Sequence, residues 1–385
     1  MTTAMEIAFW GCVALIAYAY AFYPIVVFTL AKFFGKSPVG YAPSTDGDLP
    51  SVSLLIAAYN EEQVIAQRIE NALALDYPAD RLEIVIASDG STDNTAPIVR
   101  GFSDQRIRLL ESSLRRGKAT VLNAAFRHLR GEIVVLSDAN TFTDSAALRR
   151  MVRWFDDPTI GSVCGRLVLT DPATGRNVDS LYWKYETFLK TCEGRLGALL
   201  GANGAIYAVR RTNFAGIWND TIVDYFVIPL VTRLRYGSAI VYDKTAIAYE
   251  ETPHDFGAEF RRRSRIGAGG FQSIVRLRAL LAPRHGWLAF TFFSHKVLRW
   301  LCPFLLIGAA ITNLALLDEP FYRLTMAAQL LGYGFSLLGL ATGTRAALKP
   351  LRLATMFTAM NAALLVGFWR WASGGQQGIW QRTAR

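Results

Sequence analysis

Several acidic side chains of this chain fall where apolar runs stop. Val52–Ala58 ends at Tyr59-Asn60-Glu61, Leu82–Ala87 ends at Ser88-Asp89, and Ile133–Leu136 ends at Ser137-Asp138-Ala139-Asn140-Thr141. Carboxyl groups gathered in this way suit recognition of a base, a ribose and a metal-bound diphosphate. Between the second and third stands Arg115-Arg116-Gly117-Lys118, a basic cluster beside a glycine. Such charge suits a diphosphate that has to be neutralised as it departs. Each motif also has a plainer reading: Ser88-Asp89-Gly90-Ser91-Thr92-Asp93 as a turn with a helix cap, the basic cluster as a solvated patch.

The elements that must hold these residues are short apolar strands alternating with helical stretches. Helical patterns follow Glu61 as far as Leu75, follow Thr92, and cover Ala119–Leu129; a further strand lies near Ile107–Leu110. That alternation predicts βαβ units and a largely parallel sheet. In open parallel sheets, ligands collect beyond the carboxyl ends of the strands. The acidic strand ends then share one crevice.

Composition places the sheet beside a membrane. Hydrophobic residues make up 52% of the chain and charged residues 19%, unusual for a soluble enzyme of this size. Ile7–Ala31 contains no Asp, Glu, Lys or Arg, and as a helix it is about 37 Å long, enough to cross a bilayer core. Charge-free runs recur at Trp300–Leu317, Leu324–Thr344 and Leu353–Trp369. The first run lacks a basic leader and a convincing small-residue cleavage site, so it reads as an anchor and not as a signal peptide. Lys32 and Lys36 after it, against Glu6 alone before it, put the middle of the chain in the cytosol. Asp318–Arg323 is then external, and Arg345, Lys349 and Arg352 are cytosolic. Arg370, Arg382 and Arg385 fit an external tail badly. Either the tail rests on the membrane surface or one C-terminal run does not span.

The formal charge of +10 comes with no zinc-finger or RNA-binding signature, which excludes nucleic acid as the expected partner. Cytosolic flanks, anionic lipid and a phosphate-rich substrate account for it. The cysteines at 12, 164, 192 and 302 match no disulfide framework or metal cluster, so free thiols are expected.

From about Val52 to Gln272 the sequence resembles the membrane-bound branch of family 2 glycosyltransferases, which contains the cellulose, hyaluronan and chitin synthases. Ala57-Ala58-Tyr59-Asn60-Glu61-Glu62 is similar to the family's uracil-contacting strand end, and Asp89 to the carboxylate that contacts the uridine. Ser137–Thr141 stands at the family's D-x-D metal motif, with Asn140 replacing the second acid. The resemblance implies Mg²⁺ or Mn²⁺ held by Asp138 and Asn140. Lys118 and Asn123 follow the basic cluster, and Gly201-Ala202-Asn203-Gly204-Ala205 resembles the acceptor-side loop, with a Gly-rich turn into a strand at Ile206–Val209 as the alternative. At Val223-Asp224-Tyr225 relatives carry two consecutive acids, the second serving as general base. Here Asp224 takes the first place and Tyr225 the second. A phenol with a pKa near its usual ~10 is a poor base at neutral pH. The base is therefore Asp224, or another carboxylate such as Glu250 or Glu251, or catalysis is impaired. Glu259–Gln272 resembles the family's Q-x-x-R-W helix, with Arg262 and Arg265 at the Gln and Arg positions as a diphosphate clamp and Ile266 in place of Trp.

The implied fold is α/β of GT-A type with N- and C-terminal transmembrane helices. The expected divisions are an anchor at 1–36, a linker at 37–50, and a cytosolic catalytic domain at 51–275 with an interfacial helix at about 177–200. A second interfacial helix at 276–299 and C-terminal spans with a tail at 300–385 complete the chain. The implied activity is inverting transfer from a UDP-sugar to a glycan or lipid-linked acceptor at the inner membrane. A non-catalytic nucleotide-sugar-binding subunit of a polysaccharide assembly, or a non-processive glycolipid-forming transferase, stands as the alternative.

Overall fold

The computed structural model describes residues 2–36, 46–171, 181–251, 256–341, 349–376 and 378. These fall into two compact units: 27–36, 46–171, 181–251, 277–291 and 378 in one, and 2–26, 256–276, 292–341 and 349–376 in the other.

The first unit is built on an eight-stranded sheet. Its strands are β1 (Val52–Ala58), β2 (Leu82–Asp89), β3 (Ile107–Ser112), β4 (Ile133–Asp138), β5 (Phe142–Thr143), β6 (Ile160–Thr170), β7 (Tyr207–Arg210) and β8 (Ala239–Glu251), in the order β3-β2-β1-β4-β7-β6-β8-β5. From β3 to β4 every pair is parallel, as the alternation of strands and helices predicts. Beyond β4 the sheet is mixed: β7 runs antiparallel to β4 and β6, β8 parallel to β6, and β5 antiparallel to β8. Every residue of β1 is buried, which a strand covered on both faces requires. Val52, Leu54, Ile56 and Ala58 join the main core with Ile65, Ile69 and Ala72 of helix Ile65–Leu73. By alternation the odd residues face the other side, where helix Lys118–Phe126 packs on β1 and β2.

Register positions the site. Ala57 lies beside Ala87 on one neighbour and beside Asp138 on the other, so the ends of β1, β2 and β4 reach one level. The helix expected at 177–200 is described over Leu181–Arg195, with Glu186 and Glu193 buried. Residues 172–180, most of the 37–50 linker and most of the tail lie outside the described residues.

The second unit consists of helices. Together with the flanking residues of the first, four described helices are long and apolar enough to cross a membrane: Thr3–Phe34, Trp287–Leu314, Pro320–Ala341 and Pro350–Ala372. The break expected at 299/300 is absent, because the apolar helix begins at Trp287 and runs on to Leu314. His295, Lys296 and Arg299 are thus part of it, and aromatic rings of the N-terminal helix meet two of them. The His295 ring lies 5.7 Å from that of Tyr23, and the Arg299 guanidinium 5.8 Å from that of Tyr20. The helix widens to π geometry over Phe292–Val297, as does the N-terminal helix over Tyr18–Phe22. The two wide turns meet through Tyr18 Oη and Ser294 Oγ, 3.0 Å apart.

Helix Phe256–Arg276, assigned from the sequence to the catalytic domain, belongs to this helical unit and packs along Lys349–Ala372. A Cβ on Gly367 would stand 2.6 Å from the carbonyl oxygen of Ser264. A glycine is what lets these two backbones touch.

Candidate active site

The loops beyond β1 and β2 are sewn together by short polar side chains. Asn60 adopts a left-handed backbone, φ 53°, a conformation Asn tolerates because its side chain can bond locally. Its Oδ1 accepts from the Thr92 amide at 2.8 Å, its own amide donates to Ser91 Oγ at 3.2 Å, and the Glu61 amide donates to Thr95 Oγ1 at 2.8 Å. Asp93 Oδ1 accepts from the Thr95 amide at 3.0 Å. Ser91, Thr92 and Asp93 thus form the turn read for this segment, and it braces the first motif.

Asp89 is fully buried. Its two oxygens accept from the amides of Arg116 at 2.7 Å and Gly117 at 2.9 Å, so in this structure the carboxylate shapes the basic loop. Gly90 permits the loop to lie there: its φ is 65°, and a Cβ would sit 2.6 Å from the Arg115 nitrogen. The Arg115 guanidinium stacks 3.9 Å over the ring of Tyr59. The basic motif and both strand ends thus meet.

Lys118 follows as the first residue of its helix. Its Nζ lies 2.7 Å from Asp138 Oδ1 and 3.2 Å from Asp224 Oδ1, and its side chain is 18% exposed. Burial alone would lower the lysine's pKa, but Asp138 and Asp224 outweigh it and hold the pKa above the ordinary value. The group is an ammonium throughout the physiological range. Asp224 is buried in the first turn of helix Asp224–Tyr236, and its Oδ2 accepts from the Tyr207 hydroxyl at 3.1 Å. Burial, reinforced by Asp224, pushes the Tyr207 phenol well up, so it stays a donor.

Among the described residues no three His, Cys, Asp or Glu side chains converge as a ready metal cage. Asp138 is 37% exposed at its side chain and directs Oδ2 toward Gly204, where a Cβ would come within 3.2 Å. Asn140 Nδ2 donates to Glu250 Oε1 at 3.2 Å, which brings a second carboxylate to the motif. Asp138, the amide oxygen of Asn140 and Glu250 are hard oxygen donors. They fit a divalent cation that completes its shell with waters and diphosphate oxygens.

Other residues singled out by sequence have their polar atoms turned inward. Asn123 donates to the Ile217 carbonyl at 2.7 Å and accepts from its amide at 3.1 Å, fastening the loop before helix Asp224–Tyr236. Asn203 donates to the Gly165 carbonyl and accepts from the Ile206 amide at 3.2 Å, holding the Gly204 turn against β6. Ala57 is a buried strand residue and Glu61 contributes its backbone. Arg262 makes a two-pronged contact to Glu259 at 2.8 and 3.1 Å, and Arg263 shares that carboxylate. Arg265, one turn on, is half-buried in the same helix of the other unit.

Sequence reasoning missed two residues. Tyr207 reads as one more apolar strand residue, and only its neighbour Asp224 gives its hydroxyl a purpose. Arg68 lies on an amphipathic helix and reads as surface, yet it is fully buried, with Nε and Nη2 lacking a hydrogen-bond partner among the described residues. Burial lowers its pKa to about 10, opposed by the charge of Asp138.

The family model for glycosyl transferase family 2 matches residues 53–213. Over 312 residues the chain is 30% identical to beta-monoglucosyldiacylglycerol synthase of Synechocystis sp., covering 77% of this chain and 63% of that protein. It is 28% identical over 242 residues to poly-beta-1,6-N-acetyl-D-glucosamine synthase of Staphylococcus aureus, covering 60% of this chain and 57% of that one. The chain therefore spans less than two thirds of the length of either relative. Among solved structures, the mannosyltransferase PcManGT of Pyrobaculum calidifontis, in complex with GDP-Man and Mn²⁺, superposes with a TM-score of 0.71 at 25% identity, covering 97% of this chain and 99% of that one. With acids and a lysine meeting at the rim of a GT-A-like sheet, residues 53–213 of this chain form a glycosyl transferase family 2 domain.

Proposed function

We propose that the chain is an inverting glycosyltransferase that passes a sugar from a nucleoside-diphosphate donor to the hydroxyl of a glycan or lipid-linked acceptor at the membrane. The observation that carries this reading is Lys118 held between Asp138 and Asp224 at the carboxyl edge of β4. The same residues supply a cation for a diphosphate and a carboxylate for a hydroxyl.

In the proposed reaction the acceptor oxygen attacks the anomeric carbon from the face opposite the diphosphate. The bond from that carbon to the diphosphate oxygen breaks, and the hydroxyl proton passes to Asp224. Tyr59 and Arg115 form a stacked flat surface for the base. Asp89 sets the loop that presents Lys118, whose ammonium neutralises charge on the leaving diphosphate. A Mg²⁺ or Mn²⁺ at Asp138, Asn140 and Glu250 would add Lewis-acid stabilisation of the same leaving group. The ring of Tyr225 comes within 3.3 Å of a Cβ position on Gly204 and lines the acceptor side. A diphosphate-binding role for Arg262 and Arg265 is kept as part of the proposal.

A uridine donor is the reading drawn from the strand-end motifs. A guanosine donor is favoured by the likeness to PcManGT, which extends over nearly the whole chain. Lys32 and Lys36 support a cytoplasmic catalytic unit in a multi-pass inner-membrane protein. Release of UDP or GDP by the purified full-length chain, across a panel of UDP- and GDP-sugars with Mn²⁺ or Mg²⁺, tests the reading. One active donor establishes transfer and names the base. Nucleotide binding with no release from any donor would instead establish a non-catalytic subunit.

A further inference from the structure

We infer that Lys118 is an internal counter-ion that holds the cation's place at Asp138 until the donor diphosphate draws it away, so that metal and nucleotide enter only together. The inference rests on the proposed donor and metal reading of this site.

Three observations carry it. Lys118 Nζ makes its closest contact, 2.7 Å, with the carboxylate best placed for a divalent cation. The same ammonium lies 3.2 Å from Asp224, the proposed base, whose other oxygen is taken by Tyr207. The backbone beside Lys118 is pinned, because the Gly117 amide is bonded to buried Asp89, while its four-carbon stem has the torsional freedom to swing.

Charge then orders the events. With Lys118 in place, a divalent cation approaching Asp138 alone faces a like charge within contact distance in a partly buried site, where such repulsion is poorly screened. An arriving diphosphate offers Lys118 anionic oxygens of its own. As Lys118 turns to them, Asp138 is opened to the cation and Asp224 Oδ1 is freed of the ammonium that occupies it. One side-chain movement thus couples metal affinity to donor binding and withholds the base until a donor is present.

The test measures Mn²⁺ binding, without turnover, to the purified full-length chain in detergent by the paramagnetic resonance signal of the free ion. Wild type, Lys118→Met, Lys118→Gln and the charge-keeping Lys118→Arg are compared, each with and without GDP or UDP. Removing the charge is expected to tighten Mn²⁺ binding in the absence of nucleotide by about tenfold or more, while Lys118→Arg stays near wild type. Lys118→Gln keeps a donor for Asp138 and gives the same readout should the apolar variant not fold. Equal or weaker Mn²⁺ binding by the folded neutral variants, with wild type binding Mn²⁺ in the presence of nucleotide, overturns this inference alone. No Mn²⁺ binding by any variant even with nucleotide removes the metal reading and the inference with it.

Discussion

A carboxylate that accepts from a tyrosine and touches a lysine has both oxygens engaged and is poorly placed to take a proton. Asp224 is in that state here, so its proposed work in transfer depends on losing Lys118. Replacing it by Asn should lower kcat for nucleotide release by about 10²- to 10⁴-fold, with the donor KM much less affected. A Tyr225→Asp variant that recovers activity in the Asp224→Asn background would transfer the role to position 225. Arg68 behaves differently. A buried cation with unmet donors contributes little to folding, and swapping it for an apolar side chain of similar size is often neutral or stabilising. Arg68→Met should leave the unfolding midpoint unchanged or raised while lowering turnover, because Asp138 loses a nearby positive charge. At this scale Asp89, Lys118 and Asp138 could be picked out from residue type and neighbours, and Asp224 only through the family resemblance. Their partners could not, since the Tyr207 hydroxyl and the Arg116 and Gly117 amides come from segments whose meeting depends on the folded sheet. Asn123 and Asn203 show the converse: an amide in a functional motif can serve the loop and not the ligand.

Among the elements, the loop joining β3 to helix Lys118–Phe126 tolerates little change where it passes Gly90. Gly90→Ala would force a Cβ into the Arg115 backbone at a left-handed position, with a stability cost of about 1–3 kcal/mol. Lower donor affinity should accompany it, read by nucleotide titration alongside thermal unfolding. The parallel half of the sheet was legible because β1, β2 and β4 are short, mostly apolar runs bounded by polar turns. The far half was not. β8 mixes buried, half-buried and exposed residues without regular alternation over thirteen positions, and its pairing with β6 and β5 joins segments distant in the chain, which local patterning cannot register. Sequence pattern alone cuts the helix Trp287–Leu314 short because His295, Lys296 and Arg299 count as breaks in an apolar run, although aromatic rings of the N-terminal helix receive two of them.

For the molecule as a whole, orientation is the testable quantity. If Lys32 and Lys36 stay in the cytosol, the turn at Asp318–Glu319 is external and the loop at Arg116 internal. Cysteine introduced at Glu319 should react with a membrane-impermeant maleimide in intact cells, and cysteine at Arg116 only after lysis. The reverse pattern would invert the topology. The native thiols leave a low background, since Cys164, Cys192 and Cys302 are buried and Cys12 is half-buried.

The paired wide turns at Tyr18–Phe22 and Phe292–Val297 carry a lasting consequence for how this chain can vary. Each holds one residue more than a regular turn. Deleting a single alanine from Tyr18–Phe22 would restore ordinary winding and rotate the preceding helix by about 100° relative to the helical segment after it. Phe9, now packed edge-on against Tyr322, would swing toward lipid. Such an insertion, once accommodated, is locked in: it can be relocated along the helix, but losing it outright undoes the packing of a whole span.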